Sequence, residues 1–448
     1  MTTNTRRAAV IGAGISGMTA AYRLQLAGFD VRVFEASDRA GGRVSTLRRN
    51  GYLMEQGADL FTHGYTRYLQ LAEELGLTQQ IVKIPSLMGT LRDGRIETMD
   101  SASPWSMATT RALSLSAKLR MISGMRKLKP LLAGMNPAFM HEHAHLDHEH
   151  STAEAFGLRH FGAEVTDYVI DPLSRMLGGA SAGYASPLNL LSELVLAGGG
   201  AMYSFRDGQS TLTDALAAKL DVRLRSRATA VVEDADGVQV SVEDSTGARS
   251  TERFDVAVIA VPYHQAIEIY GYLKQISAGL KAQLRFIKMI KIYLGYRART
   301  HLGAYIVQVP RVEDAELMLI FLDHNKAPHR APAGHSLLQL ASDTQATEKM
   351  LDWPDAELEQ WARARAEKLF PELSGSFEFS QVARWPRMSN YNGPGYFKHV
   401  AEIIEHLPAS ARVQIAGDLF TKTNQEGAMV WGERAAGNLA HHYGHRKN

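Results

Sequence analysis

Ala8-Ala9-Val10-Ile11-Gly12-Ala13-Gly14-Ile15-Ser16-Gly17 is the stretch that decides the fold. Its first four residues form an apolar run the length of a buried strand. Residues 16–26 then repeat apolar side chains at helical spacing until Gly28, whose missing Cβ suits a helix end. Val31-Arg32-Val33-Phe34 reads as a second strand, and such a strand, helix, strand unit builds a parallel sheet. Each glycine of the turn has its own task. Gly12 permits the tight turn, Gly14 lets backbone approach a pyrophosphate, and Gly17 lets the helix lie close to the strand. The helix opening at Ile15 and Ser16 aims its free amides and positive dipole end at that phosphate. Glu35, closing the second strand, is placed to bond ribose hydroxyls and would repel a 2′-phosphate. A dinucleotide site follows.

Downstream, Arg39-Ala40-Gly41-Gly42-Arg43 puts two glycines and a guanidinium where a second phosphate-contacting loop would hold a larger cofactor, with Arg43 supplying fixed donors. This favours FAD over NAD. Further along, Asn50-Gly51 and Asp93-Gly94 sit between short alternating runs and read as hairpin turns. Residues 101–175 turn helical and Met-rich. Alternation returns over 222–242 with a turn at Asp236-Gly237, and 256–261 is another buried strand. Residues 262–386 mix strands at 291–296 and 316–322 with a helix at 355–369. The end repeats the architecture of the beginning: a strand at 413–416, Gly417-Asp418, and a helix over 426–441.

Composition narrows the rest. The chain has 448 residues, so two domains, or one wrapped around another, are expected. With 49 basic against 47 acidic residues there is no general charge reason to expect nucleic acid. The absence of cysteine excludes disulfides, thiolate metal sites and a cysteinyl-linked flavin. Residues 1–7 are polar and lead into an apolar run too short for a signal core, so a cytoplasmic protein is expected. No feature specifies an oligomeric state.

Taken with Glu55-Gln56-Gly57-Ala58, Leu75-Gly76-Leu77, the 256–262 strand, Ala416-Gly417-Asp418, Gly427-Ala428 and Gly432-Glu433-Arg434-Ala435-Ala436, the sequence resembles the flavin amine oxidase and protoporphyrinogen oxidase superfamily over nearly its whole length. The resemblance implies an α/β fold. Its Rossmann-like FAD-binding domain would be assembled from residues 1–84, 205–265 and 386–448. An interleaved α+β substrate-binding domain would take 85–204 and 266–385, with a lid-like helical region at about 101–175. It implies non-covalent FAD held by Gly12, Ala13, Gly14, Ile15, Ser16, Gly17, Glu35, Ala36, Gly41, Gly42 and Arg43. Gly57, Ala58, Asp59 and Leu60 would lie beside the flavin and Ala228 at the adenine. Gly417 and Asp418 would sit near the phosphates and ribityl chain, with Gln425 and Ala428 at a helix start that faces the flavin's N1 and C2 edge. Negative charge gathers at that edge on reduction, and a helix N-terminus stabilises it.

On the substrate side, the resemblance gives Lys291 the place of a buried lysine that holds water near flavin N5 and assists reaction with oxygen. Tyr396 becomes the candidate for one ring of an aromatic cage, and Asn424 falls where the second ring would be. An amide in place of a ring suits a substrate with a carbonyl or hydroxyl as well as an amine. The expected reaction is hydride transfer from a small organic substrate, an amine or a cyclic compound, to flavin N5, with reoxidation by molecular oxygen to give peroxide. Two alternatives stand beside it: a protoporphyrinogen-oxidase-like or ring-desaturating dehydrogenase, and a flavin-binding protein without catalysis. Leu119, Ile122, Met125, Leu128 and Leu132 recur at helical spacing among basic residues, as in a lid or domain-packing helix, with peripheral membrane contact as the second reading. His141, His143, His145, His148 and His150, with Glu142, Asp147 and Glu149, read as a solvated helix or linker, and the flavin chemistry needs no metal.

Overall fold

The computed structural model describes residues 5–148, 150–197 and 200–444. Residues 1–4 of the polar start and Glu149 of the histidine cluster lie outside them. A five-stranded parallel sheet runs in the order Asp221–Arg223, Asp30–Phe34, Arg7–Ile11, Val256–Ile259, Val413–Ile415. In chain order this is 3-2-1-4-5, a doubly wound arrangement built from the two ends and the middle of the sequence.

Both faces of the sheet are covered, which is why its strands read as unbroken apolar runs rather than as alternation. Ala8, Val10, Val31, Val33, Val256 and Val258 face the first helix, Ile15–Leu26, and the C-terminal helix, Gln425–Tyr443. Ala9, Ile11, Phe34, Ala257, Ile259 and Val413 face the other way, onto a three-stranded antiparallel sheet spanning Ser226–Glu233, Val238–Asp244 and Arg249–Phe254. The hairpin turns form where expected: Asn50 and Gly51 have φ of 50° and 81°, Asp93 and Gly94 of 51° and 72°, the positive pair that a two-residue turn needs.

The second sheet has seven strands in the order Phe377–Asn390, Phe286–Tyr296, Ser336–Ser342, Leu317–Leu322, Ile306–Gln308, Leu87–Arg92, Arg95–Asp100. One face buries Ile290, Ile292, Leu294, Leu338 and Leu340 against the helix Asp355–Leu369. The opposite face carries Lys291, Tyr293 and Gln339, each at most 1% exposed. Phe377–Asn390 runs straight through the boundary expected at 386, because it pairs with Phe286–Tyr296 as far as Asn390.

Residues 101–197 are largely helical and include two one-turn π segments, Thr166–Ile170 and Ser174–Gly178. In the helix Leu115–Ala133 the buried line is Ala117, Gly124 and Leu128, with Gly124 so close to Phe161 that a Cβ would lie 2.5 Å from its ring. Leu119 and Ile122, read as part of the packing row, are exposed instead, since the small residues let the neighbouring helix approach on the other side. His141 also departs from the solvated reading: its ring packs on Trp431, and burial lowers its pKa to about 4. Among the described residues no helix is long and apolar enough to cross a membrane, and no group of three or more histidine or carboxylate side chains is placed to hold a metal ion.

Candidate active site

A cavity of about 1480 Å³ runs from the glycine turn to the polar face of the seven-stranded sheet. Its first end is built by backbone. A Cβ on Gly17 would lie 2.0 Å from Gly12 O, and one on Gly57 would lie 1.8 Å from Arg43 O, so helix, strand and loops meet there only as glycine. The Gly41 amide donates to Ala13 O at 2.8 Å, and Gly14 bridges to Gly41, which brings the two glycine loops together. Gly12, Gly14, Ile15, Ser16, Glu35, Ala36, Gly41, Gly42 and Arg43 line this end, while Ala13 and Gly17 pack behind it. Glu35 Oε2 accepts from the Ala13 amide at 2.8 Å and Oε1 from the Ser37 amide at 2.9 Å.

Across the cavity, Arg43 makes a two-pronged ion pair with Asp418 at 2.7 and 2.8 Å, and its Nη1 reaches Met388 O at 3.1 Å. Its donors are thus committed to a carboxylate from the far end of the chain. Burial pushes the Asp418 carboxyl up, but Arg43 and Thr423 outweigh it and hold it below the usual carboxylate range. Ala228, Gly417, Gln425 and Ala428 line the same cavity, as do Gly57, Ala58, Asp59 and Leu60. Gln425 is fixed by the Tyr68 hydroxyl, which donates at 3.1 Å, and Glu426 accepts from the Arg67 and Tyr68 amides at 2.9 and 2.8 Å.

The expected substrate residues separate. Lys291 lines the cavity, and its Nζ donates to Gly57 O at 2.5 Å, Asp59 Oδ2 at 2.7 Å and Glu55 O at 3.3 Å, so protein acceptors take all three protons. Tyr396 is not in the cavity. The Gly-Pro-Gly turn before it, with Gly395 at φ 81°, feeds the helix Tyr396–Glu405, and the ring enters the core with its hydroxyl donating to Leu419 O at 2.7 Å. Asn424 is at the cavity wall, but its Oδ1 caps the C-terminal helix by accepting from the Gly427 amide at 2.6 Å, and its Nδ2 donates to Lys422 O. The phenol facing an amide, expected from the spacing, does not form.

Other residues take their place. Met176, Leu177, Met289, Met318, Leu319 and Met388 line the sheet end of the cavity. Lys422 also lines it and is 2% exposed, its Nζ 2.8 Å from Glu193 Oε1, while Ser174 donates to Glu193 Oε2 at 3.1 Å. Burial lowers the Lys422 pKa and raises that of Glu193. Gln339, 0% exposed, lines the cavity with neither amide atom hydrogen-bonded. Only fold-level contact joins residues this distant, so no local sequence signal marked them.

A glycine cradle at a helix start, an acid closing the second strand, and a second helix N-terminus on the same cavity define a nucleotide-cofactor oxidoreductase. Residues 15–440 match the family model for flavin-containing amine oxidoreductases, and the chain belongs to that family. It is a flavin-containing oxidoreductase. It is 23% identical to coproporphyrinogen III oxidase of Staphylococcus aureus over 96% of this chain and 98% of that enzyme. It is 34% identical over 187 residues to protoporphyrinogen oxidase 2 of Arabidopsis thaliana, a match covering 41% of this chain and only 34% of the relative. The fold is shared with cyclohexylamine oxidase of Brevibacterium oxydans, TM-score 0.76 at 18% identity over 98% of this chain and 99% of that one.

Proposed function

We propose that this chain binds FAD non-covalently and oxidises an organic substrate with an apolar, ring-bearing body by hydride transfer, with molecular oxygen as electron acceptor. The observation that carries the substrate reading is the wall of Met176, Leu177, Met289, Met318, Leu319 and Met388, at which neither residue read as a cage position offers a ring. Methionine adapts to irregular apolar shapes. The polar groups that would orient such a body are Lys422 with Glu193, and Gln339. The likeness to coproporphyrinogen III oxidase across almost the whole of both chains supports the same reading.

FAD fits the residues present. Its phosphates would meet the amides at Gly14, Ile15 and Ser16 and the loop at Gly41 and Gly42, its ribose Glu35, its adenine Ala228, and its ring the 57–60 backbone and the start of the C-terminal helix. Bound there, it supplies the two-electron sink for the hydride. Lys291 holds a fixed positive charge at the wall, and the methionine chamber excludes water from the donor carbon. The flavin half would comprise residues 1–84, 205–265 and the chain that follows the strand Phe377–Asn390.

Anaerobic mixing of the flavin-loaded protein with porphyrinogens, cyclic ketones and monoamines tests this directly. Bleaching of the flavin by reduced cyclic donors and not by monoamines is expected. Bleaching by amines alone would return the chain to amine oxidation, and a protein that neither carries nor takes up FAD would end the reading altogether.

A further inference from the structure

At the cavity wall and behind it lies a row of four charges, three of them buried and the fourth, Asp59, 18% exposed. Lys291 Nζ is 2.7 Å from Asp59 Oδ2, Asp59 Oδ1 faces Lys326 Nζ at 4.0 Å, and Lys326 Nζ is 2.5 Å from Asp323 Oδ1. Lys291 and Asp59 line the cavity, whereas Lys326 and Asp323 stand behind them with side chains 0% and 1% exposed. Lys326 Nζ also lies 4.9 Å from the centroid of the Phe321 ring, which itself lines the cavity. Asp59 Oδ1 has no hydrogen-bond partner, so only the approach of Lys326 balances it.

Charges so largely removed from water are tolerable only when they compensate one another, and this row sums to zero. Lys326 and Asp323 already pair at 2.5 Å, so they are not needed to neutralise Lys291. What they provide is a fixed positive group on the free oxygen of Asp59. Asp59 in turn sits directly on Lys291 and offsets part of the charge that Lys291 shows to the cavity.

We propose that Asp59 is a positioning residue that meters the positive charge presented by Lys291, and that the Lys326–Asp323 pair holds Asp59 in that role. The inference rests on the reading that FAD occupies this cavity. Reduction of the flavin places negative charge beside the wall. Its oxidation then moves two electrons and one proton from the anionic reduced cofactor, with one further proton from solvent, onto O2 to give hydrogen peroxide. Positive charge at the wall favours both the reduced cofactor and the start of electron transfer to oxygen. Asp59 therefore restrains both, and Lys326 opposes that restraint.

The test needs no organic substrate. Wild-type, Asp59→Asn and Lys326→Met holoproteins are equilibrated with reference dyes to read the flavin midpoint potential, and are photoreduced and mixed with oxygenated buffer to read reoxidation. Asp59→Asn is expected to shift the reduction equilibrium about tenfold toward reduced flavin, roughly 30 mV for two electrons, and to speed reoxidation severalfold. Lys326→Met is expected to move both quantities the opposite way, and Lys326→Arg to restore wild-type values. Shifts of the same sign in Asp59→Asn and Lys326→Met, or none beyond twofold in either, would overturn the proposal. Thermal unfolding of the apoproteins separates a folding defect from a charge effect, and if Asp59→Asn does not fold, a shift toward oxidised flavin in Lys326→Met that is absent in Lys326→Arg decides alone, and no shift in Lys326→Met, or one toward reduced flavin, overturns the proposal. A wild-type protein that takes up no FAD is a different failure, which removes the cofactor reading and this inference with it.

Discussion

The Glu35 carboxylate already serves the protein, with one oxygen on the Ala13 amide and the other on the Ser37 amide and hydroxyl. These bonds hold the acid at the cavity edge with lone pairs left for a ribose. Glu35→Gln keeps the shape but turns one acceptor into a donor and removes the charge. A hydrogen bond to a charged group is worth about 1.5–3 kcal/mol, so FAD affinity is expected to fall at least about tenfold. Titration of apoprotein by quenching of flavin fluorescence reads this, and binding within twofold of wild type would show that Glu35 does not contact the cofactor. Glu35 and the glycines around it were legible because their constraints are local: a turn, a close approach and a strand end within thirty or so residues of one another. Tyr396 was misread for a related reason. Spacing within a motif says where a tyrosine falls along the chain, but the helix that begins at Tyr396 decides which way its ring points, and it points into the core.

The C-terminal helix shows the same division at the scale of an element. Its start was expected to face the cofactor, and the structure adds how it is held. Asn424 caps it, Glu426 ties it to the helix Thr66–Glu74, and Gly432 lets it cross the first helix so closely that a Cβ would lie 2.3 Å from Ser16 O. The glycine in Gly432-Glu433-Arg434 was visible as part of a family pattern, but its reason was not, because the surface it meets belongs to the other end of the chain. Gly432→Ala is expected to cost about 1–3 kcal/mol through overpacking and to weaken FAD binding, since Ser16 belongs to the turn proposed to meet the phosphates. Asn424→Ala is expected to cost about 1 kcal/mol, while Asn424→Asp, which still caps, keeps near wild-type stability. Urea unfolding of the apoproteins measures both. An Asn424→Asp protein as unstable as Asn424→Ala would show that the side chain does more than cap.

At the scale of the molecule, segments remote in sequence are joined by ion pairs with little or no exposure: Arg330 with Glu55, Lys422 with Glu193, and Lys291 with Asp59. No periodicity or motif reports such pairs, because each partner read alone is an ordinary surface charge. His324, beside Asp323 in the charged row, extends this pattern to pH. Its Nδ1 accepts from the Leu337 amide at 3.1 Å and its Nε2 lies 2.8 Å from Thr300 Oγ1, an arrangement that suits the neutral ring. Burial, with the nearby Arg299 adding to it, lowers its pKa to about 4, against about 6.5 in an unfolded chain. Between those values the unfolded chain binds a proton that the native protein does not, so stability is retained above about pH 6.5 and is lost as pH falls toward 4. At 7% exposure the loss is about 2–3 kcal/mol across the window. Glu193 and Glu426, whose pKa values are raised by burial, titrate with the opposite sign, so the total curve mixes both. The difference between wild type and His324→Gln isolates the histidine, because glutamine can still accept from Leu337 and does not titrate. The gap between their urea midpoints is expected to narrow steadily from pH 7 to pH 4.5 as the wild type loses the advantage of its neutral ring. A gap that stays constant over that range would mean that His324 titrates alike in the folded and unfolded chain, and that its burial carries no pH dependence.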